Sequence, residues 1–175
     1  MIKEDQLTVQ ALTAFNGQLP INLGWRGGFT KFLVTGGPFD GAPKSKDWFN
    51  VCVRSERVPK TGVSAHVAIN DFSVPSPGQE KHVRQTLLDA LTAAVNGRPV
   101  FVGCMGGWGR TGLFLALMAK AAGVQEPVNF VREHYSAHAV ETKPQFAYVE
   151  KFDVADVTKK LRRLGWRQRL AHPFT

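Results

Sequence analysis

Val100-Phe101-Val102-Gly103-Cys104-Met105-Gly106-Gly107-Trp108-Gly109-Arg110-Thr111-Gly112 is the stretch that decides how this chain is read. Pro99 to Gly103 is apolar and too short for a helix, which suits a buried strand. Thr111 to Ala122 is apolar nearly all round, as a buried helix is, and Gly123 ends it. The glycine-rich turn therefore joins a strand end to a helix N-terminus. Backbone N–H groups in such a turn cradle phosphoryl oxygens, and the helix dipole adds to the attraction. Gly106, Gly107 and Gly109 allow the backbone to approach an anion closely. Arg110 offers a planar fork for two oxygens. Cys104 sits beneath the anion site, where the same positive field favours a thiolate. Thr111 is placed to donate a hydrogen bond to the sulfur. Met105 to Arg110 thus read as a phosphate-binding loop.

Two other phosphate motifs fit less well. Gly107-Trp108-Gly109-Arg110-Thr111-Gly112 is formally a dinucleotide fingerprint, but the region that should end a second parallel strand in an acidic residue reads as helix, Val128 to Tyr135. A nucleoside-triphosphate loop needs a Gly-Lys pair, and the chain has none.

Outward from this junction, the first half of the chain reads as strands and turns. Apolar runs at Pro20–Trp25, Phe32–Thr35, Trp48–Val53 and Val63–Ile69 are separated by Gly- and Pro-rich turns. Glu80 to Val95 places Val83, Leu87, Leu91, Ala94 and Val95 on one helical face, and Asn96-Gly97 stops it. Pro127 opens a helix to Tyr135, and Pro144 opens another to about Leu164. The order predicts a single α/β domain over residues 1–175, with a mainly parallel central sheet flanked by helices and covered on both faces.

Composition agrees with this. The chain has 175 residues, 43% of them hydrophobic, enough for a core. No apolar stretch approaches the length of a membrane helix, and Met1 to Gln10 lacks a signal-peptide core. Two cysteines argue against a disulfide framework and favour a reducing, cytoplasmic setting. A formal charge of +8 favours anionic partners, such as phosphorylated protein or RNA. The cations are densest at Lys159, Lys160, Arg162, Arg163, Arg167 and Arg169, where a solvated helix face is the simplest reading. His134 and His138 lack a third ligand at metal-binding spacing.

The loop resembles the C-x5-R-[ST] signature of cysteine-dependent phosphatases of the protein tyrosine phosphatase superfamily, and the short chain resembles its dual-specificity branch. The resemblance implies a phosphatase domain that hydrolyses phosphate monoesters through a phosphocysteine, with no cofactor or metal. Cys104 would attack phosphorus, and an acid from a separate upstream loop would protonate the leaving oxygen. Asp71 follows the strand Val63–Ile69 and opens the Pro-rich loop Asp71-Phe72-Ser73-Val74-Pro75, a placement similar to the family's acid loop. A neighbouring phosphate dianion would hold its proton on. Asp40 and Asp89 fit worse, lying in an early loop and within a helix. Where the family has His before the nucleophile, this chain has Gly103, which implies a less activated thiol. Gln145 resembles the family residue that positions the hydrolytic water, and it also suits a helix first turn. Cys52, in Asn50-Val51-Cys52-Val53-Arg54-Ser55-Glu56-Arg57, resembles the redox partner of tensin-type lipid phosphatases; a small strand residue is the plainer reading.

The lipid branch carries Lys within its loop, and Met105, Gly106, Gly107 and Trp108 supply no cation. Phosphotyrosine, with phosphoserine or phosphothreonine beside it, is therefore the first expectation, with 5′-phosphorylated RNA and phosphoinositides as alternatives. A non-catalytic phosphate-binding module is the alternative from another class.

Overall fold

The computed structural model describes residues 19–22 and 29–171. The expected strand Pro20–Trp25 is seen as β1, Leu19–Asn22, paired antiparallel with β2, Phe29–Phe32; the rest of that expectation lies outside the described residues. The run Phe32–Thr35 is divided at Leu33, after which β3, Val34–Pro38, enters a different sheet. A 3₁₀ turn, Phe39–Gly41, follows. β4 is Phe49–Cys52, β5 is Ala65–His66 and β6 is Val100–Cys104. Four strands lie in the order β3-β6-β4-β5, and all three pairings are parallel. Parallel strands end at one edge of their sheet. The segments leaving β3, β4, β5 and β6 therefore emerge on the same side as Cys104, the usual place for a site in an open α/β sheet.

Five α-helices follow the apolar periodicity: α1 Glu80–Val95, α2 Gly109–Ala122, α3 Pro127–His134, α4 Lys143–Lys151 and α5 Ala155–Ala171. α2 lies on β6, with its side chains buried from Gly109 to Ala119, and forms the axis of the main core. Val34, Val51, Val53, Val100, Val102 and Cys104 face this core together with buried side chains of every α-helix described. On the other face Phe39, Trp48, Cys52 and Phe101 form a smaller cluster. Both faces are covered as expected: among the described residues, the 3₁₀ turn and the loop to Trp48 cover the second one. No helix among the described residues is long and apolar enough to cross a membrane.

The single helix expected from Pro144 to Leu164 is in fact two. Phe152 takes extended dihedrals, φ −67° and ψ 121°, and the break turns Phe152 and Val154 into the core. Phe152 stacks on Tyr148 with ring centroids 5.2 Å apart, and the Arg84 guanidinium covers its ring at 5.0 Å. Asp153 Oδ1 accepts from the Ala155 N–H at 2.9 Å and starts α5. The carbonyls freed at the end of α4 are met by Lys120, whose Nζ donates to Val149 O and Glu150 O at 2.7 Å and to Phe152 O at 3.1 Å. This one ammonium ties α2 to the C-terminus of α4. Lys120→Ala is expected to lower unfolding free energy in urea by about 2 kcal/mol, the scale of charge-assisted hydrogen bonds; no shift in the midpoint would contradict this account of the break.

Candidate active site

Cys104 ends β6 and is buried. Its backbone N–H donates to the Thr111 hydroxyl at 2.9 Å. Thr111 is thus bound to the backbone of Cys104 as an acceptor, and not to the sulfur as the expected donor. The sulfur instead accepts from the Gly107 N–H at 3.3 Å. Gly107 has φ +83°, a left-handed conformation that favours glycine, and a Cβ there would lie 2.6 Å from the Gly37 carbonyl carbon. The loop Met105–Trp108 is thereby pressed onto the end of β3.

Gly103 has a similar cause. A Cβ at this position would lie 2.8 Å from Phe39 Cα and 2.9 Å from Gly37 O. Both are backbone atoms, so no flexible side chain can yield. The chain leaving β3 occupies the space that a histidine would need.

Arg110 is 2% exposed, so its charge must be met inside the protein. Its Nη1 donates to Glu56 Oε2 at 2.8 Å and to Ile69 O at 3.0 Å, and its Nη2 lies 3.1 Å from Asp71 Oδ1. The Arg110 hydrogen bond holds the Glu56 carboxyl down to about 2, against an ordinary 4.5. Asp71 opens a loop whose next residue, Phe72, has φ +55° and is 61% exposed, a conformation rare for a bulky side chain. The loop is fastened from α4: Thr142 Oγ1 donates to Phe72 O at 3.3 Å, and Gln145 Nε2 donates to Ser73 O at 3.1 Å.

The sequence brought Cys104, Arg110, Thr111 and Asp71 into one argument, and the fold brings them into one place. Gln145 is fully buried. It forms a capping box with Thr142, its N–H donating to Thr142 Oγ1 at 3.3 Å, while its amide also reaches the first turn of α2 beside Gly109. Cys52 is not brought to Cys104. It pairs in register with Gly103, so the two cysteines are diagonal neighbours facing opposite sides of the sheet. Burial pushes the Cys52 thiol up, an effect opposed by the backbone and guanidinium of Arg54. A bond between the two sulfurs would have to cross the sheet. Asp40 pairs with Arg54 at 2.7 Å, and Asp89 accepts from Gln85. His138 packs on Trp108 with ring centroids 5.8 Å apart, and His134 stacks on Phe130. Lys160 pairs with Asp156 at 2.8 Å; the side chains of Arg167 and Arg169 lie outside the described residues.

Sequence reasoning missed three residues. Glu56 orients Arg110; its signal was a lone acid just after β4, on the sheet edge that also carries Cys104. Tyr135 donates its phenol hydrogen to the Gly107 carbonyl. The Glu141 carboxylate lies against Gly109, in the space a Cβ would fill. It follows Val140, a buried β-branched residue at φ +58° whose carbonyl accepts from Arg132 at 3.0 Å. Such strain in a buried loop marks a position that its surroundings over-determine. Neither Tyr135 nor Glu141 carries a local sequence signal.

Two outcomes follow from this geometry. Because the folded value of Glu56 lies below its ordinary one, the stability it contributes is present above pH 4.5 and is lost as pH falls toward 2. The urea midpoint of the wild type should exceed that of Glu56→Gln at neutral pH, and the gap should close across that window; a gap that persists at pH 2 would contradict the Glu56–Arg110 assignment. Gly103→His should lose at least about 2 kcal/mol, the scale of overpacking against rigid neighbours. A thermal midpoint equal to that of wild type would show that the backbone at Gly37–Phe39 yields after all.

No family model matches the chain. Over 106 residues it is 34% identical to an uncharacterized protein of Methanocaldococcus jannaschii; the match covers 60% of this chain and 67% of that one. A second uncharacterized protein of the same organism is 31% identical over 106 residues, and there the match spans 62% of the relative's length. Among solved structures, kinase associated phosphatase superposes with a TM-score of 0.54 at 18% identity, covering 81% of this chain and 95% of that one. DUSP15 gives 0.54 at 16% identity, covering 79% and 95%. At these identities the likeness speaks for the fold. The parallel four-stranded sheet and its helices match the architecture of these solved phosphatases, and the chain belongs to the family of the Methanocaldococcus jannaschii protein, with the fold of kinase associated phosphatase and DUSP15.

Proposed function

We propose that residues 1–175 form one phosphatase domain that hydrolyses phosphate monoesters through a phosphocysteine, with phosphotyrosine in protein as its first substrate. The observation that carries this reading is the buried Arg110 at the start of α2, paired with an exposed Asp71 and adjoining the loop that holds the Cys104 sulfur. A phosphate dianion in the loop would meet backbone N–H groups, the N-terminal end of α2 and the Arg110 fork together.

The Cys104 thiolate attacks phosphorus, forming the P–S bond as the P–O bond to the leaving group breaks. Asp71 gives its proton to the departing oxygen. Water then attacks the phosphocysteine and gives a proton to Asp71, and the P–S bond breaks to return the thiolate and release inorganic phosphate. The Arg110–Asp71 contact supports this division of labour. Bound phosphate competes for Nη2 and frees Asp71 to face the leaving oxygen. Glu56 keeps the guanidinium oriented throughout.

The absence of lysine from Met105–Trp108 favours a singly phosphorylated group. Trp108 and Phe72, 53% and 61% exposed, stand on the phosphate loop and the acid loop and offer apolar surface to an aromatic leaving group. A cytoplasmic enzyme acting on phosphorylated protein fits the two free cysteines. RNA remains a secondary partner through the basic surface.

Hydrolysis of p-nitrophenyl phosphate by wild type, Cys104→Ser and Asp71→Asn tests the reading. Cys104→Ser should fall to background, and Asp71→Asn should lose about 10²-fold in kcat. Equal background rates in all three, with phosphate still bound, would make the protein a binding module. A panel of phosphopeptides, phosphoinositides and 5′-phosphorylated RNA should be led by phosphotyrosine peptides.

A further inference from the structure

We infer that Tyr135 is a positioning residue for the phosphate loop: its hydroxyl holds the Gly107 carbonyl and so turns the next amide N–H, that of Trp108, into the anion site. The inference rests on the phosphatase reading above.

Backbone fills the space next to Gly103, so no side chain there can order the loop. The loop is fixed by other contacts. Thr111 holds the Cys104 N–H, the Gly107 N–H points to Sγ, and Gly107 packs on Gly37 and Pro38. Arg54 Nη1 lies 3.0 Å from Met105 Sδ. The Trp108 carbonyl is held by the Gly112 N–H at 2.7 Å as α2 begins, and the Gly107 carbonyl is held by the Tyr135 hydroxyl.

In a trans peptide the C=O and the following N–H point in opposite directions, and the described chain contains no cis peptide. Holding the Gly107 carbonyl on the Tyr135 side therefore fixes the Trp108 N–H toward the opposite side. Both peptide planes of Gly107 are then committed, its N–H to the sulfur and its C=O to the phenol, and φ +83° lets one residue meet both demands.

The donor itself is well held. Tyr135 caps the C-terminus of α3, where its N–H bonds Val131 O at 2.9 Å, and its ring packs against the main core. Burial, reinforced by the charge of Cys104, pushes its phenol far above the ordinary value. The hydroxyl is thereby kept protonated, as a donor.

The experiment uses the whole chain as wild type, Tyr135→Phe and a control, Tyr148→Phe, which removes a buried hydroxyl that has no hydrogen-bond partner. Inorganic phosphate is titrated as a protectant of Cys104 against iodoacetamide, and KM, kcat and the thermal midpoint are measured alongside. Tyr135→Phe should raise the half-protecting phosphate concentration and KM about fivefold, the equivalent of one hydrogen bond. Its kcat should stay within about twofold of wild type, as expected when binding to substrate and transition state weakens equally. Tyr148→Phe should match wild type. A folded Tyr135→Phe protein with wild-type protection and KM overturns the inference alone. If phosphate does not protect the wild type and no substrate is turned over, the phosphatase reading falls and takes the inference with it. A fall in thermal midpoint with protection unchanged reduces Tyr135 to a packing residue and also overturns it.

Discussion

The buried charge of Arg110 is the constraint around which the rest of the site is arranged. A guanidinium 2% exposed cannot rely on water, and an unmatched buried cation costs several kcal/mol. Its partners come from separate parts of the chain: Glu56 after β4, and the Ile69 carbonyl and Asp71 after β5. These segments meet only because β4, β5 and β6 run parallel and finish at one edge. Antiparallel pairing would send alternate segments to opposite ends of the sheet.

A second constraint is how closely β3 approaches the loop. β3 pairs with β6 along its whole length, with Pro38 opposite Cys104, and the chain then turns across the sheet at Phe39. Glycine at 103 and 107 follows from that path. Glycine at 103, where the phosphatases that the loop resembles have histidine, is therefore a packing consequence. The loop is contacted at its flanks by Gly37 and Pro38 on one side and by Tyr135 on the other.

Much of this was legible in the sequence, for identifiable reasons. Cys104 and Arg110 are close in the chain, and the strand and helix that hold them carry strong periodic signals. α1 was readable to its ends because its apolar face repeats cleanly from Val83 to Val95. Asp71 was reachable through its Pro-rich loop. The break at Phe152 was not, because it depends on Lys120, a residue distant in sequence that meets the freed carbonyls. Nor was Glu56, whose role exists only after the sheet has been ordered. The opposite facing of Cys52 and Cys104 follows from register: one residue of offset between parallel strands exchanges faces.

Glu56 and Asp71 are chemically similar carboxylates on the same guanidinium, yet their settings divide their roles. Glu56 accepts a hydrogen bond at 2.8 Å, is 38% exposed and stays ionised down to about pH 2. Asp71 makes a longer contact, 3.1 Å, is 62% exposed and sits on a loop beside a strained Phe72. On the proposed reading, a phosphate dianion exchanges with the longer Arg110 contact, leaving Glu56 in place and releasing Asp71 to face the leaving group. Environment, more than residue type, separates the fixed anion from the proton donor.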